Sequence, residues 1–400
     1  MKAVVLAAGE GHRMRPLTYT RPKVTLPIAN RPILEHLLIE AAGAGVGEFI
    51  FIVGYHDEQV RAYFGNGARW GVKIDYSTQR KQLGTADALR MVEGLAEGAF
   101  LMINGDVVIG RDDIRGLVEG SGNVMSVTEV DDTRGLGLVE LDNGRVVRIH
   151  EKVEKAPSRM ANAGLYRFTP DIFVAVSRTP KSPRGEYEIT DSLQMMIDEG
   201  QPVFYHNIKE WLDLSYPWDL LRANESLLAS AKAQNLGEIE ENVAIKGAVS
   251  IGQGTIVRSG SYIVGPAIIG RDCEIGPNCF IRPHTAIGDN CHIGAAVEVK
   301  NSIVMKGTKI PHLNYVGDSV IGEECNLGAG TKVANLRLDK KEISVAGVAT
   351  GRRKLGAIIG DRVETGINVS INVGTVIGNN AHIGPGAAVS GVISPDSMIL

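Results

Sequence analysis

The sequence predicts an α/β chain in two parts: a doubly wound domain with a mixed sheet, then a solenoid of very short strands. Three observations predict it. From Ile239 onward a branched aliphatic residue recurs every sixth position, through Ile245, Ile251, Val257, Ile263, Ile269, Ile275, Ile281, Ile287, Ile293 and Val299. The series resumes at Ile321, Leu327 and Val333, and again at Ile371, Ile377, Ile383 and Val389. Nothing in the first half repeats in this way; there, strand-like apolar runs alternate with helical periodicity. Asp142-Asn143-Gly144, set between alternating residues, marks a hairpin and so makes the first sheet mixed.

Residues 3–7 read as a buried strand followed by a glycine-rich turn, and 32–44 as a helix with proline near its start. Residues 48–53 and 73–77 are strands and 85–95 a helix, and the strand 100–103 ends in Asn104-Gly105-Asp106. The hairpin spans 139–149, a further helix 188–199, and 223–233 a helical linker, with the solenoid starting after Gly237. The domain division is therefore residues 1–222, a linker 223–237, and 238–400.

Many hexads read aliphatic-Gly-x-x-small-x, as in Ile275-Gly-Pro-Asn-Cys-Phe. The aliphatic and small residues point inward, while Gly, Asn and Asp allow the backbone to turn each corner. Cys273, Cys279, Cys291 and Cys325 all fall in the small slot, which makes them core residues. They lack the CxxC pairing of a zinc site. Cys273 and Cys291 would stack one strand spacing apart, a geometry that permits a disulfide but not one that a reducing compartment favours.

The net charge of −4 gives no support for nucleic-acid or anionic-membrane binding. The apolar run after Met1-Lys2 is too short to span a bilayer and lacks a signal-peptide cleavage pattern, so a soluble cytoplasmic protein is expected.

The densest motif is Leu6-Ala-Ala-Gly-Glu-Gly-His-Arg-Met-Arg-Pro-Leu-Thr18, followed by Arg21-Pro-Lys23. It is neither a GxGxxG fingerprint nor a P-loop. Gly9 and Gly11 after a strand let backbone N–H groups approach a phosphate chain, and Arg13 and Lys23 add positive charge there. Taken alone, Asp106 would equally serve as a turn cap. The string resembles the signature of the sugar-phosphate nucleotidylyltransferases, and further motifs follow in that family's order: Gln79-Arg-Lys-Gln-Leu-Gly-Thr-Ala86, Asn104-Gly-Asp106, Glu151-Lys152, Asn162-Ala-Gly164 and Trp211-Leu-Asp213. The resemblance implies that Leu6, Ala8, Gly9 and Gly11 hold a nucleoside triphosphate (UTP or dTTP), with Gln79, Gly84 and Thr85 at its pyrimidine base. Gly137, Glu151 and Asn162 would hold the sugar-1-phosphate. Asp106 would bind Mg²⁺ with Asp213 as second carboxylate, although Asp219 lies close in sequence. Arg13 and Lys23 would stabilise charge as the sugar phosphate attacks the α-phosphorus and pyrophosphate leaves. The sequence departs from the family at Val24-Thr25, where a second proline is usual.

The hexads break between Val299 and Ile321, across Lys300 to Asp318, and this stretch reads as an extruded loop carrying His312 and Tyr315. With Asn326-Leu-Gly-Ala-Gly-Thr331 it resembles the acetyltransferase half of the bifunctional sugar-1-phosphate acetyltransferase/nucleotidylyltransferases. That resemblance makes the second half a left-handed parallel β-helix, an exception to the right-handed crossover rule. It implies acetyl-CoA as co-substrate, a hexosamine-1-phosphate as acceptor, and a homotrimer. His312 would be the general base, imidazole being the side-chain type suited to taking the amine proton near neutral pH. Arg282, Lys300, Tyr315, Asn326, Ala329, Asn335 and, from a second interruption at 336–354, Lys341 would complete the site. Ile367 stands where the family has a small polar residue, and the bacterial C-terminal arm is missing. Nucleotidyl transfer alone, with the β-helix serving oligomerisation or regulation, is the alternative.

Overall fold

The computed structural model describes residues 1–151 and 158–400; Lys152 of the Glu151-Lys152 motif lies outside them. Contacts divide the chain into two compact units. The first comprises Met1–Glu10, Arg21–Thr25 and Ile33–Asp213, the second Gly11–Thr20, Leu26–Pro32 and Leu214–Leu400.

The first unit is built on one twisted sheet. Its strands lie in the order Lys73–Thr78, Glu48–Val53, Lys2–Ala7, Phe100–Asn104, Met160–Phe168, Asn123–Glu129, Val203–Asn207, Arg145–Glu151 and Gly137–Asp142. The first four run parallel, and Met160–Phe168 runs antiparallel to Phe100–Asn104, so the sheet is mixed as expected. Successive residues point to opposite faces, and both faces are covered. Ala3 and Val5 enter one core with Phe49 and Phe51, while Val4 enters the other with Ile50 and Ile52. The hairpin turns on Asn143 and Gly144, both at positive φ (46° and 80°), the backbone of a tight primed turn.

Two helices differ from expectation. The helix at residue 85 ends at Arg90, because Met91, Val92 and Glu93 donate three residues back rather than four, and Gly94 takes a left-handed conformation (φ 83°). The helix expected at 223–233 runs from Asp219 to Ala229, four residues earlier. Asp219 sets its start by accepting the Tyr216 N–H at 2.6 Å. Gln234–Asn235, before Gly237, is already the first strand of the solenoid.

The solenoid is a three-sided prism in which every third strand joins the same parallel sheet, giving sheets of nine, nine and eight strands. Its aliphatics stack at about one strand spacing, ~4.8 Å. They form a single core with Cys273, Cys279, Cys291 and Cys325, all buried free thiols. Positive φ recurs every six residues at Asp272, Asn278, His284, Asn290 and Ala296, where each coil turns. The stretch 300–320 corrects an expectation, since no loop is extruded there. Ile269 pairs with Ile287, eighteen residues on, whereas Ile287 pairs with Val304 and Val304 with Ile321, each seventeen on. The positive-φ corner likewise steps by five from Ala296 to Asn301 and from Leu313 to Asp318. Two corners lose one residue each, so Val304, Ile310 and Val316 remain in the core and the prism continues. The true excursion is 336–354, closed by a bridge between Leu336 and Lys354 and tipped by a small hairpin. No helix among the described residues is long and apolar enough to cross a membrane.

Candidate active sites

In the first unit the family-ordered motifs converge at the carboxyl ends of the parallel strands, where such sheets bind ligands. Lys23 Nζ lies 2.5 Å from Asp106 Oδ2, with the lysine side chain 10% and the aspartate 35% exposed. Gly105 N–H donates to Leu6 O (2.9 Å), and a Cβ on Gly105 would sit 2.7 Å from that same oxygen, so the two strand ends are locked together. Gly164, at φ 73°, packs so closely on Asn104 that a Cβ would lie 2.4 Å from its amide nitrogen. Trp211 Nε1 donates to Ala163 O (2.9 Å). Trp211–Asp213 pairs antiparallel with Val107–Ile109, and Asp213 stands opposite Val107, next to Asp106. Asp219 is engaged instead at its helix start. Asp106, in the turn before Val107–Ile109, and Asp213, on the strand paired with it, are both hard oxygen donors of the kind Mg²⁺ takes.

The segment 79–85 is equally constrained. Gln79 is buried, its amide donating to Asp87 Oδ2 (2.9 Å) and Gly84 O (3.3 Å). A Cβ on Gly84 (φ 109°) would meet Tyr187 O at 2.4 Å, and Thr85 Oγ1 accepts the Ile189 N–H at 2.9 Å. Ala8 O accepts from the Gln82 side chain (2.9 Å) and the Tyr55 N–H (3.2 Å). Gly9 has open space where a Cβ would stand.

Gly137 pairs with Glu151 across the hairpin, a Cβ there lying 3.0 Å from Glu151 Oε2. On the neighbouring strand Asn162 donates to Tyr166 OH (2.7 Å). Burial raises the pKa of the Tyr166 phenol, keeping it neutral. Arg184 bridges Glu151 (3.1 Å) and Glu188 (2.7 Å). Arg184 and Asp87 lie outside the motif strings, and Arg184 reaches Glu151 only across 33 residues of chain.

Gly11 and Arg13 group with the second unit. Gly11, at φ 69°, opens a turn whose O accepts from Thr18 Oγ1 at 2.9 Å. The Arg13 guanidinium lies 5.3 Å from the Tyr216 ring centre. Thr20 Oγ1 donates to Asp361 Oδ2 on the prism (2.5 Å).

The second site lies along consecutive prism coils. Arg282, Lys300 and Gly317 occupy equivalent positions one coil apart. Arg282 pairs with Glu298 (2.8 Å) and Lys300 with Asp318 (2.9 Å). Asn335 donates to Tyr315 OH (3.1 Å) and to Asp318 Oδ2 (2.5 Å). Partial burial, then Asp318 and Glu298, raises the Tyr315 pKa. His312 is exposed at the end of strand Lys309–His312, opposite Ala295, and its O accepts the Gly330 N–H (3.0 Å), one residue beyond Ala329. Asn326, opposite Lys309, is also exposed, as is Lys341 in the excursion, whose N–H meets Asp339 (3.1 Å). Tyr315, Lys332, Ser370, Asn372, Ala388 and Ser390 help line a cleft of about 400 Å³ on one prism face.

The nucleotidyl transferase family model matches residues 2–230, and the GMPPB C-terminal domain model matches 263–399. The bifunctional protein GlmU of Methanocaldococcus jannaschii is 41% identical over 404 residues, covering 100% of this chain and 97% of the relative. A bifunctional sugar-1-phosphate nucleotidylyltransferase/acetyltransferase of Sulfurisphaera tokodaii is 40% identical, covering 98% and 97%. A Bacillus anthracis chain described as a candidate glucose-1-phosphate thymidylyltransferase, solved with a sucrose, is 29% identical with a TM-score of 0.54, covering 59% of this chain and 98% of that one. Fold and sequence thus define a transferase with a nucleotidyl transferase half and a prism half. The chain belongs to the bifunctional sugar-1-phosphate nucleotidylyltransferase/acetyltransferase family.

Proposed function

We infer that the chain makes a nucleotide sugar in two reactions: N-acetylation of an amino-sugar-1-phosphate (glucosamine-1-phosphate) from acetyl-CoA, and transfer of UMP or dTMP from UTP or dTTP to a sugar-1-phosphate (N-acetylglucosamine-1-phosphate or glucose-1-phosphate). The observation that carries the first-half chemistry is the Lys23–Asp106 pair beside the strand that bears Asp213.

In nucleotidyl transfer the attacking phosphate oxygen is already ionised, so no general base is required. Leu6, Ala8, Gly9 and Gly11 would present backbone to the triphosphate, Gln79, Gly84 and Thr85 would border its base, and Gly137, Glu151 and Asn162 would orient the sugar. Arg13 and Lys23 would stabilise charge on the α-phosphate and the leaving pyrophosphate. Asp106 and Asp213 would hold Mg²⁺, which when bound supplies charge neutralisation at the phosphates.

On the prism, read as a left-handed β-helix, His312 would take the proton lost as the amine attacks the thioester carbonyl, with CoA leaving. Tyr315, Asn326 and Asn335 would orient the amino sugar, Arg282 and Lys300 would face its phosphate, and Ala329 and Lys341 would border the coenzyme. The functional division assigns residues 1–222 to nucleotidyl transfer and 238–400 to acetyl transfer, with 223–237 between them holding the end of the helix Asp219–Ala229 and the first solenoid strand, Gln234–Asn235. A cytoplasmic homotrimer joined through the prisms fits this arrangement. Light scattering should give three times the chain mass of 42.8 kDa; a monomer would count against adjoining prisms. Chelation by EDTA should stop pyrophosphate release from nucleotide and sugar-1-phosphate yet spare CoA release from glucosamine-1-phosphate. Loss of both, or of neither, would contradict the assignment.

A further inference from the structure

Asp318 was absent from the residues expected to bind or react, yet it is the most connected side chain of the second site. It sits at the second shortened corner, at φ 51°, and is 2% exposed. Three donors meet its carboxylate: Lys300 Nζ at 2.9 Å and Asn335 Nδ2 at 2.5 Å on Oδ2, and Asn301 Nδ2 at 2.8 Å on Oδ1. Asn301 reaches on to Glu225 (2.9 Å), which also takes Arg352 (2.6 Å).

The coil register explains how this forms. Lys300 pairs with Gly317, and the Asp318 N–H donates to Lys300 O at 2.9 Å. The shortened corners thereby set the carboxylate directly beside the lysine of the preceding coil. Gly317 keeps the space clear, since a Cβ there would come within 2.6 Å of both Asn335 Nδ2 and Tyr315 OH.

We propose that Asp318 is a positioning residue for the amino-sugar-phosphate pocket, fixing the Lys300 ammonium and the Asn335 amide so that both present donors to the acceptor substrate. This rests on the acetyl-transfer reading above. An ammonium carries three N–H donors, and Asp318 occupies one. A buried carboxylate holds the other two in direction without exposing a competing anion, and Asn335 transmits the constraint to the Tyr315 hydroxyl. A preorganised donor set lowers the ordering cost of substrate binding.

The test is steady-state CoA release by D318N, K300M and D318N/K300M, with pyrophosphate release and thermal unfolding measured alongside. In D318N the KM for glucosamine-1-phosphate should rise about ten-fold or more, with the acetyl-CoA KM and pyrophosphate release unchanged. The double variant should lose less than the sum of the two single losses, because part of the Asp318 effect passes through Lys300 and only the Asn335 part survives its removal. An unaltered sugar KM in D318N, additive losses in the double variant, or unfolding of D318N would each overturn the proposal, the last by making the carboxylate a structural anchor. Wild-type chain that releases no CoA would overturn the acetyl-transfer reading itself, a result distinct from an active wild type and an indifferent D318N.

Discussion

Lys23 Nζ stands 2.5 Å from Asp106 Oδ2, joining residues 83 apart in the chain into one charged pair. Asp106 holds the lysine in place, and the lysine keeps the carboxylate charge local before substrate arrives. Lys23→Met should therefore lower kcat/KM for pyrophosphate release by about a hundred-fold or more while sparing CoA release. A rate within a few-fold of wild type would remove Lys23 from the chemistry.

Glu151 is held by Arg184 (3.1 Å) beside Gly137 and within reach of Thr190 (3.4 Å). Glu151→Gln keeps the shape but sets a part-exposed amide donor against the Arg184 guanidinium where an acceptor stood. The KM for sugar-1-phosphate should rise about ten-fold, with the nucleotide KM nearly constant. Equal changes in both would assign Glu151 to overall folding of the pocket instead.

Each thiol packs inside the prism. Burial pushes Cys279 up to about 11 and Cys325 up to about 12, and the neighbouring Cys273 with burial pushes Cys291 up. Folded protein at pH 8 should resist a thiol reagent, and all four cysteines should react in denaturant. Cys273 goes the other way, lowered by its hydrogen bond with Cys291. For Cys279 and Cys325, whose protons the folded state holds more tightly than the unfolded one, the contribution to stability is complete below about pH 9 and declines as pH rises toward 11–12. Rapid labelling of the folded chain would contradict the inward slot.

Core position decides cost along the prism. Ile310 is fully buried in the shortened coil, whereas Ile245 near the open end is 39% exposed. Ile310→Ala should destabilise by about 2–5 kcal/mol in denaturant unfolding, and Ile245→Ala by clearly less. Equal losses would mean that 300–320 does not continue the core.

The hexads made the prism legible because strand length, inward aliphatic and corner all repeat together. The motif strings likewise named Lys23 and Asp106, which the fold pairs at 2.5 Å, and Asp213, which stands opposite Val107. What escaped was the shortening of two corners: Val304, Ile310 and Val316 fit the repeat once a single residue is dropped, but a strict six-residue step reads the same segment as a loop. Arg184 and Asp318 escaped for a second reason. Arg184 reaches Glu151 across 33 residues, and although the repeat stacks Asp318 on Lys300 18 residues back, nothing in the spacing marks that pair apart from any other stacked pair.

The account's central claim is two separable active sites in one chain, and the most direct measurement is paired release of pyrophosphate and CoA by Asp106→Ala and His312→Ala. Asp106→Ala should lose pyrophosphate release and keep CoA release, and His312→Ala should do the reverse. Loss of both activities in either variant, with the fold intact, would contradict the two-site account.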